Sequence, residues 1–174
     1  MTKQAPLSPA RAILYGTLVV GTLDISDAIL FFGLRNHVPP IRIFHSIAGG
    51  LLGREAAQAG GLPTAFLGAF LHYFIAFSIV TVFNLASRKL PFLIHRPWVY
   101  GAIYGVLAYL FMNLVVLPLS ALHLAPNLSP SVGLLNQVLI HIFGIGIPSA
   151  LFARAASPAP SVRLAQHRTL GAPL

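Results

Sequence analysis

The chain has 174 residues, of which 56% are hydrophobic and only 8% are charged, and its mean hydropathy is +0.81. A typical soluble domain carries about 25% charged residues, so this composition excludes an ordinary soluble protein. The formal net charge is +8. However, the basic residues stand at the ends of apolar segments, which indicates membrane topology and gives no support to nucleic-acid binding. Cysteine is absent, which excludes disulfides and thiolate metal sites.

Four long apolar segments predict an all-α fold, a four-helix transmembrane bundle that forms a single membrane domain over residues 1–154. The spans are predicted at about residues 13–34, 63–86, 97–122 and 132–153. Each is long enough to cross about 30 Å of hydrocarbon at about 1.5 Å per residue. Residues 155–174 contain few large apolar side chains and are predicted to form a disordered cytoplasmic tail.

The loop after the first span predicts an extra amphipathic helix, over about residues 40–55, at the outer membrane interface. Such a helix either caps the ends of the spans or forms a lid over a cavity. One face carries Ile41, Phe44, Ala48 and Leu51 at helical spacing, and another side carries Arg42, His45 and Gly49.

Lysine and arginine are distributed unequally between the two ends of the spans, roughly eight against about three. Positive charge favours the cytoplasmic side, so both termini are predicted to be cytoplasmic in a bacterial inner membrane. Membrane lipid is then the expected partner, and no soluble partner is indicated. The larger group is Lys3, Arg11, Arg88, Lys89, Arg96, Arg154, Arg163 and Arg168; the smaller is Arg35, Arg42 and Arg54.

Each span also carries polar residues near the middle of its length, about 14 Å below the outer surface. An ionisable side chain near the bilayer centre costs about 2.5 to 3.5 kcal/mol on insertion scales, so these groups are expected to find partners. An ion pair and a neutral Asp–His pair both satisfy that requirement. This polar layer consists of Asp24, Asp27, His72, Asn113, Gln137 and His141.

The polar layer has two main interpretations. It is either a site that handles a proton or small cation, or a set of interhelical hydrogen bonds worth about 0.6 kcal/mol per pair. A divalent metal bound by two imidazoles and a carboxylate, or a haem ligated by His72 and His141, is chemically possible, but no spacing supports either. No cofactor is therefore predicted. Asp24 and Asp27 form an isolated D-x-x-D, and since no enzyme signature is present, no enzymatic activity is predicted.

Small residues and proline predict where helices approach or bend. Gly101 and Gly105 are four apart and would let backbones pack closely, either within the chain or in a homo-oligomer. Gly144 shares a helical face with Gln137 and His141. Pro148 would clash with the carbonyl of Gly144 and kink the fourth span.

The two halves of the chain carry similar signals at similar places. Tyr15-Gly16 in the first span corresponds to Tyr100-Gly101 in the third, and His72 in the second corresponds to His141 in the fourth. These matches predict two helical hairpins of the same orientation, related by a parallel repeat.

Part of the chain resembles the YagU-like family of bacterial inner-membrane proteins. In the second half, the resemblance rests on the Tyr100-Gly101 helix, Leu117-Pro118-Leu119, the loop with Pro126 and Pro130, Asn136 and His141-Ile142-Phe143; a shorter match runs from His72 to Leu90-Pro91. The resemblance implies a polytopic inner-membrane protein. It supplies no activity, cofactor or catalytic residue.

Overall fold

The computed structural model describes residues 6–126 and 128–157, and all regular structure within them is helical. Two of the helices contain a π-helical turn, at Met112–Val116 and at His141–Gly146. The helices are α1 Pro9–Asn36, α2 Pro40–Leu52, α3 Arg54–Ala59, α4 Gly61–Lys89, α5 Phe92–His95, α6 Pro97–Leu119 and α7 Val132–Ala155.

Four of the helices in the described residues, α1, α4, α6 and α7, are long and apolar enough to cross a membrane. They confirm the predicted all-α fold with four long apolar helices. Helix α1 begins several residues before the predicted span, because the Ser8 side chain accepts a hydrogen bond from the Arg11 amide at 3.4 Å and Pro9 starts the first turn. Of the predicted tail, residues 158–174 lie outside the described part of the chain.

Helix α7 holds the bundle together, because it packs against α1, α4 and α6. The amide of Leu7 donates to the carbonyl of Ala155 at 3.0 Å, which joins the start of α1 to the end of α7. The short helix α5 packs against the same end of α7. We call this end of the bundle, with Arg11, Arg88, Arg96 and Arg154, the basic end, and the opposite one the outer end.

At the outer end, α2 packs firmly against the first turns of α4. Nε2 of His45 lies 2.9 Å from the carbonyl oxygen of Gly61, and a Cβ at Gly68 would fall on the carbonyl of Phe44. The side of α2 that carries His45 and Gly49 is therefore turned toward the protein, whereas Ile41 and Leu51 are exposed. The buried side of α2 also includes Ile43 and Ala48, and the small residues Ala48 and Gly49 allow close packing.

The predicted segment 40–55 is divided in two by Gly53. This residue has φ of 82°, a backbone conformation that favours glycine, and it ends α2 before α3 begins. The Ala121 amide of the loop between α6 and α7 donates to the Gly50 carbonyl at 2.9 Å. Helix α2 therefore bonds both to α4 and to the loop between α6 and α7.

Close backbone contact between α6 and α7 depends on three glycines. A Cβ at Gly101 would lie 2.7 Å from Cα of Ile147, and one at Gly105 would fall on the carbonyl oxygen of His141. From the other side, a Cβ at Gly146 would fall on the Gly101 carbonyl. The glycines predicted to serve helix packing therefore pack inside the chain.

Both π-helical turns end directly before an X-Pro step. The amide of Ile147 bonds to the carbonyl of Ile142, five residues back, and the next residue is Pro148. Likewise the amide of Leu117 bonds to the carbonyl of Met112, and Pro118 follows. Proline has no amide hydrogen for the carbonyl four residues earlier, so each helix widens before the proline.

Candidate functional site

The centre of the candidate site is a carboxylate and an imidazole from different spans. Nδ1 of His72 on α4 lies 3.9 Å from Oδ2 of Asp24 on α1. The His72 side chain is 9% exposed and that of Asp24 is 30% exposed, so the imidazole is buried and the carboxylate is partly exposed at the protein surface. The prediction that polar groups in separate spans lie at one depth thus yields a direct pair here.

A backbone hydrogen bond fixes the tautomer of His72. Its Nε2 lies 2.7 Å from the carbonyl oxygen of Gly21, one turn before Asp24. A carbonyl oxygen can only accept, so Nε2 carries the hydrogen in the neutral ring. The lone pair is then on Nδ1, the nitrogen that faces Asp24.

His141 on α7 has the opposite arrangement. Its Nδ1 lies 2.8 Å from the Gln137 carbonyl, four residues earlier, so in the neutral ring Nδ1 carries the hydrogen and Nε2 the lone pair. The carboxylate of Asp24 interacts electrostatically with His141, His72 and Asp27. The ring of Tyr109 packs edge to face with that of His141, at a centroid separation of 5.5 Å. Three spans thus contribute charge-bearing groups to one locus.

Asp27 has a partner on α7, an amide of the kind that forms interhelical hydrogen bonds in membrane bundles. Nδ2 of Asn136 on α7 donates to Oδ2 of Asp27 at 2.7 Å. Asn136 lies five residues before His141 on α7 and Asp27 lies three residues after Asp24 on α1, so both are nearer the outer end.

Two members of the predicted layer do not join Asp24 through their side chains. Nδ2 of Asn113 donates to the Tyr109 carbonyl of its own helix at 3.0 Å. Gln137 contributes its backbone carbonyl to His141. Asn113 therefore forms its hydrogen bond within α6 and not with another span.

One helical turn toward the basic end, the same three helices close the bundle with apolar side chains. Val20, Ala76, Val80 and Ile145 form one buried cluster, each at most 4% exposed, which we call the apolar plug. Val20, Ala76 and Ile145 are each four residues, about 6 Å, from Asp24, His72 and His141 respectively. The polar groups therefore lie directly above an apolar seal.

Metal binding finds no geometric support in the described part of the chain. No three residues among its histidines, aspartates and glutamate are grouped so as to hold a metal ion. Asp24 and His72 together could supply two metal ligands. A structural zinc site requires four.

Each half of the chain places a glycine of its first span against the histidine of its second span. Gly21 accepts the hydrogen bond of His72, and Gly105 lies against the backbone of His141. This correspondence agrees with the expected pair of similar hairpins. The halves differ in that both π-helical turns occur in the second.

The four apolar spans fit a polytopic membrane protein, and that is the class which the fold defines. Comparisons with protein-family models, with curated proteins and with solved structures find no match to this chain.

Proposed function

We propose that this protein takes up and releases protons at Asp24, between His72 and His141, as a non-enzymatic protein of a bacterial inner membrane. The observation that carries the proposal is the pair formed by two spans, with Nδ1 of His72 at 3.9 Å from Oδ2 of Asp24, and with the π-helical turn of His141 packed against the helix of Asp24. Ionisable groups inside spans are costly, and such groups commonly mark ion or proton pathways.

The hydrogen bonds of the two histidines support a relay. Each ring has one nitrogen held by a backbone carbonyl and a second nitrogen that is free to accept a proton. The separation of 3.9 Å exceeds that of a hydrogen bond, so transfer between Asp24 and His72 requires a small side-chain rotation or one bridging water. Both the ion pair and the neutral pair have zero net charge, so the proton moves without adding net charge to the hydrocarbon.

Access to Asp24 is asymmetric. The carboxylate is partly exposed, whereas the apolar plug closes the bundle on the side of the basic end. On this proposal, protons reach Asp24 from the outer side, because the plug lies between Asp24 and the basic end. The π-helical turn His141–Gly146 carries His141 and also Ile145, which belongs to the plug. A change in this turn would therefore move the imidazole and the plug together.

The orientation in the membrane belongs to the same proposal. With the basic end in the cytoplasm, both termini are cytoplasmic, as positive charge on that side favours. Helix α2 then lies at the outer interface, where its exposed Ile41 and Leu51 meet lipid. The resemblance of the second half to YagU-like proteins accords with an inner-membrane location.

One observation favours a second candidate, a structural membrane protein whose polar residues hold helices together. The bond between Asn136 and Asp27 is an ordinary interhelical side-chain contact. Such bonds contribute about 0.6 kcal/mol on average. On this alternative, Asp24 and His72 would also serve packing alone.

Asp24→Asn in proteoliposomes separates the two candidates. Asparagine keeps the shape of the side chain but cannot bind and release a proton near neutral pH. We expect proton flux, followed with an internal pH-sensitive dye under an imposed potential, to fall on the order of a hundredfold, the lower range for loss of a positioned proton-transfer group.

The matched control is Glu55→Gln, which removes the one carboxylate outside α1, on α3 at the outer end. It should conduct like the wild-type protein. Unchanged flux in Asp24→Asn together with a lowered thermal stability would contradict the proton proposal and support the structural candidate.

A further inference from the structure

A groove on the lipid-facing side of the bundle separates α4 from α6. Its volume is about 560 Å³, and Ile75, Val82, Leu107 and Phe111 are among the residues that line it. The two helices meet beside the groove, where the Tyr104 hydroxyl donates to the Ile79 carbonyl at 2.7 Å and the Tyr104 ring packs on Phe83. The gap is therefore part of the fold and opens toward hydrocarbon.

The groove offers no free polar group to a ligand. Its polar lining residues are Ser78 and Tyr104, and both hydroxyls donate to backbone carbonyls, of Phe74 and Ile79 respectively. An occupant must therefore be a hydrocarbon chain, since a polar group there would lose its hydrogen bonds to water.

Unpaired positive charge lies at the end of the groove that is nearer the basic end. Arg88 and Lys89 end α4, and Arg96 directly precedes α6; all three are exposed. Arg88 is six residues beyond Val82 and Arg96 is eight before Tyr104, or about 9 and 12 Å along the helices. Along α6 the groove extends from Tyr104 to Val116, so Arg96 lies about 12 Å from its near end and about 30 Å from its far end.

The chain itself cannot neutralise this charge with an acidic side chain. It contains three acidic residues, and Asp24, Asp27 and Glu55 all lie elsewhere, in the outer half of α1 or in α3. Anionic headgroups at a membrane surface carry the charge that complements this cluster.

We infer that the groove between α4 and α6 binds one acyl chain of an anionic phospholipid, whose phosphate lies among Arg88, Lys89 and Arg96. The proposed site combines an apolar groove for the acyl chain with a cationic cluster for the phosphate. The inference does not depend on proton transfer at Asp24.

Native mass spectrometry of the detergent-purified protein tests the inference, with phosphatidylglycerol and phosphatidylcholine of identical chains as probes. The wild-type protein should retain one phosphatidylglycerol and release phosphatidylcholine. Arg88→Gln/Lys89→Gln/Arg96→Gln should weaken retention about a hundredfold, on the order of fivefold per basic side chain. Its matched control, Arg35→Gln/Arg42→Gln/Arg54→Gln, removes the same charge at the outer end and should retain the lipid.

A second variant tests the groove itself. Ser78→Phe fills it without removing an interhelical bond, because the Ser78 hydroxyl bonds within its own helix; it should abolish one-lipid retention. Leu85→Phe, on an exposed part of α4 outside the groove, should not. Equal retention of the two lipids would overturn the inference, because it would indicate nonspecific annular binding. Loss of the lipid in the charge variant but not in Ser78→Phe would also overturn it, because the headgroup would then bind without an acyl chain in the groove.

Discussion

Gly105→Leu is expected to lower the free energy of unfolding by about 3 kcal/mol, the upper range for overpacking of a tight core. A Cβ at this position falls on the carbonyl oxygen of His141 and lies 2.8 Å from Cα of Ile142, so the added side chain meets backbone, which cannot rotate away. Helices α6 and α7 must separate at the π-helical turn. Thermal unfolding of the purified protein measures the effect.

Gly133→Leu is the matched control, because it makes the same substitution on a helix in open space. Its Cβ would have one neighbour, the Ser131 hydroxyl at 3.8 Å. It should leave stability unchanged or raise it by up to about 1 kcal/mol, the helix propensity that glycine lacks. If the two variants unfolded at the same temperature, the close contact of α6 with α7 would be refuted.

Ile145→Ser is expected to raise proton flux at least about tenfold, which corresponds to about 1.4 kcal/mol removed from the barrier. Ile145 is 3% exposed and belongs to the plug that lies one turn from His141. Serine is smaller and polar, and its hydroxyl gives water a partner where the wild-type cluster offers none. Flux is measured in proteoliposomes with the dye assay described above.

Leu139→Ser is the matched control for Ile145→Ser. It places the same residue on the exposed side of α7, away from the plug, and should conduct like the wild-type protein. Wild-type flux in Ile145→Ser, with both variants folded, would mean that protons do not pass through the cluster of Val20, Ala76, Val80 and Ile145.

Hydropathy was sufficient to predict four long apolar helices, because length and apolar content decide whether a helix can cross a membrane. Counting residues from the span ends also placed Asp24 and His72 at a common depth. Depth does not specify which neighbour a side chain faces. Asn113 illustrates the difference, because it lies at the expected level but bonds to its own helix.

Other features depend on how helices pack, which the sequence pattern does not encode. The pairing of Asn136 with Asp27 requires α7 to lie beside α1, and the plug forms because three helices present small or branched side chains at one level. Pro148 signalled a disturbance in α7, but not its form, a π-helical turn. The buried side of α2 includes Ala48 and Gly49, because close approach of helices requires small residues.

A change in the protonation of Asp24 inside the bundle can be followed by infrared difference spectroscopy of the purified protein between two pH values. We predict a carboxyl C=O band that appears as pH falls, is present in Glu55→Gln and is missing in Asp24→Asn. If the pH-dependent carboxyl spectrum were identical in Asp24→Asn and the wild-type protein, Asp24 would not change its protonation between the two pH values.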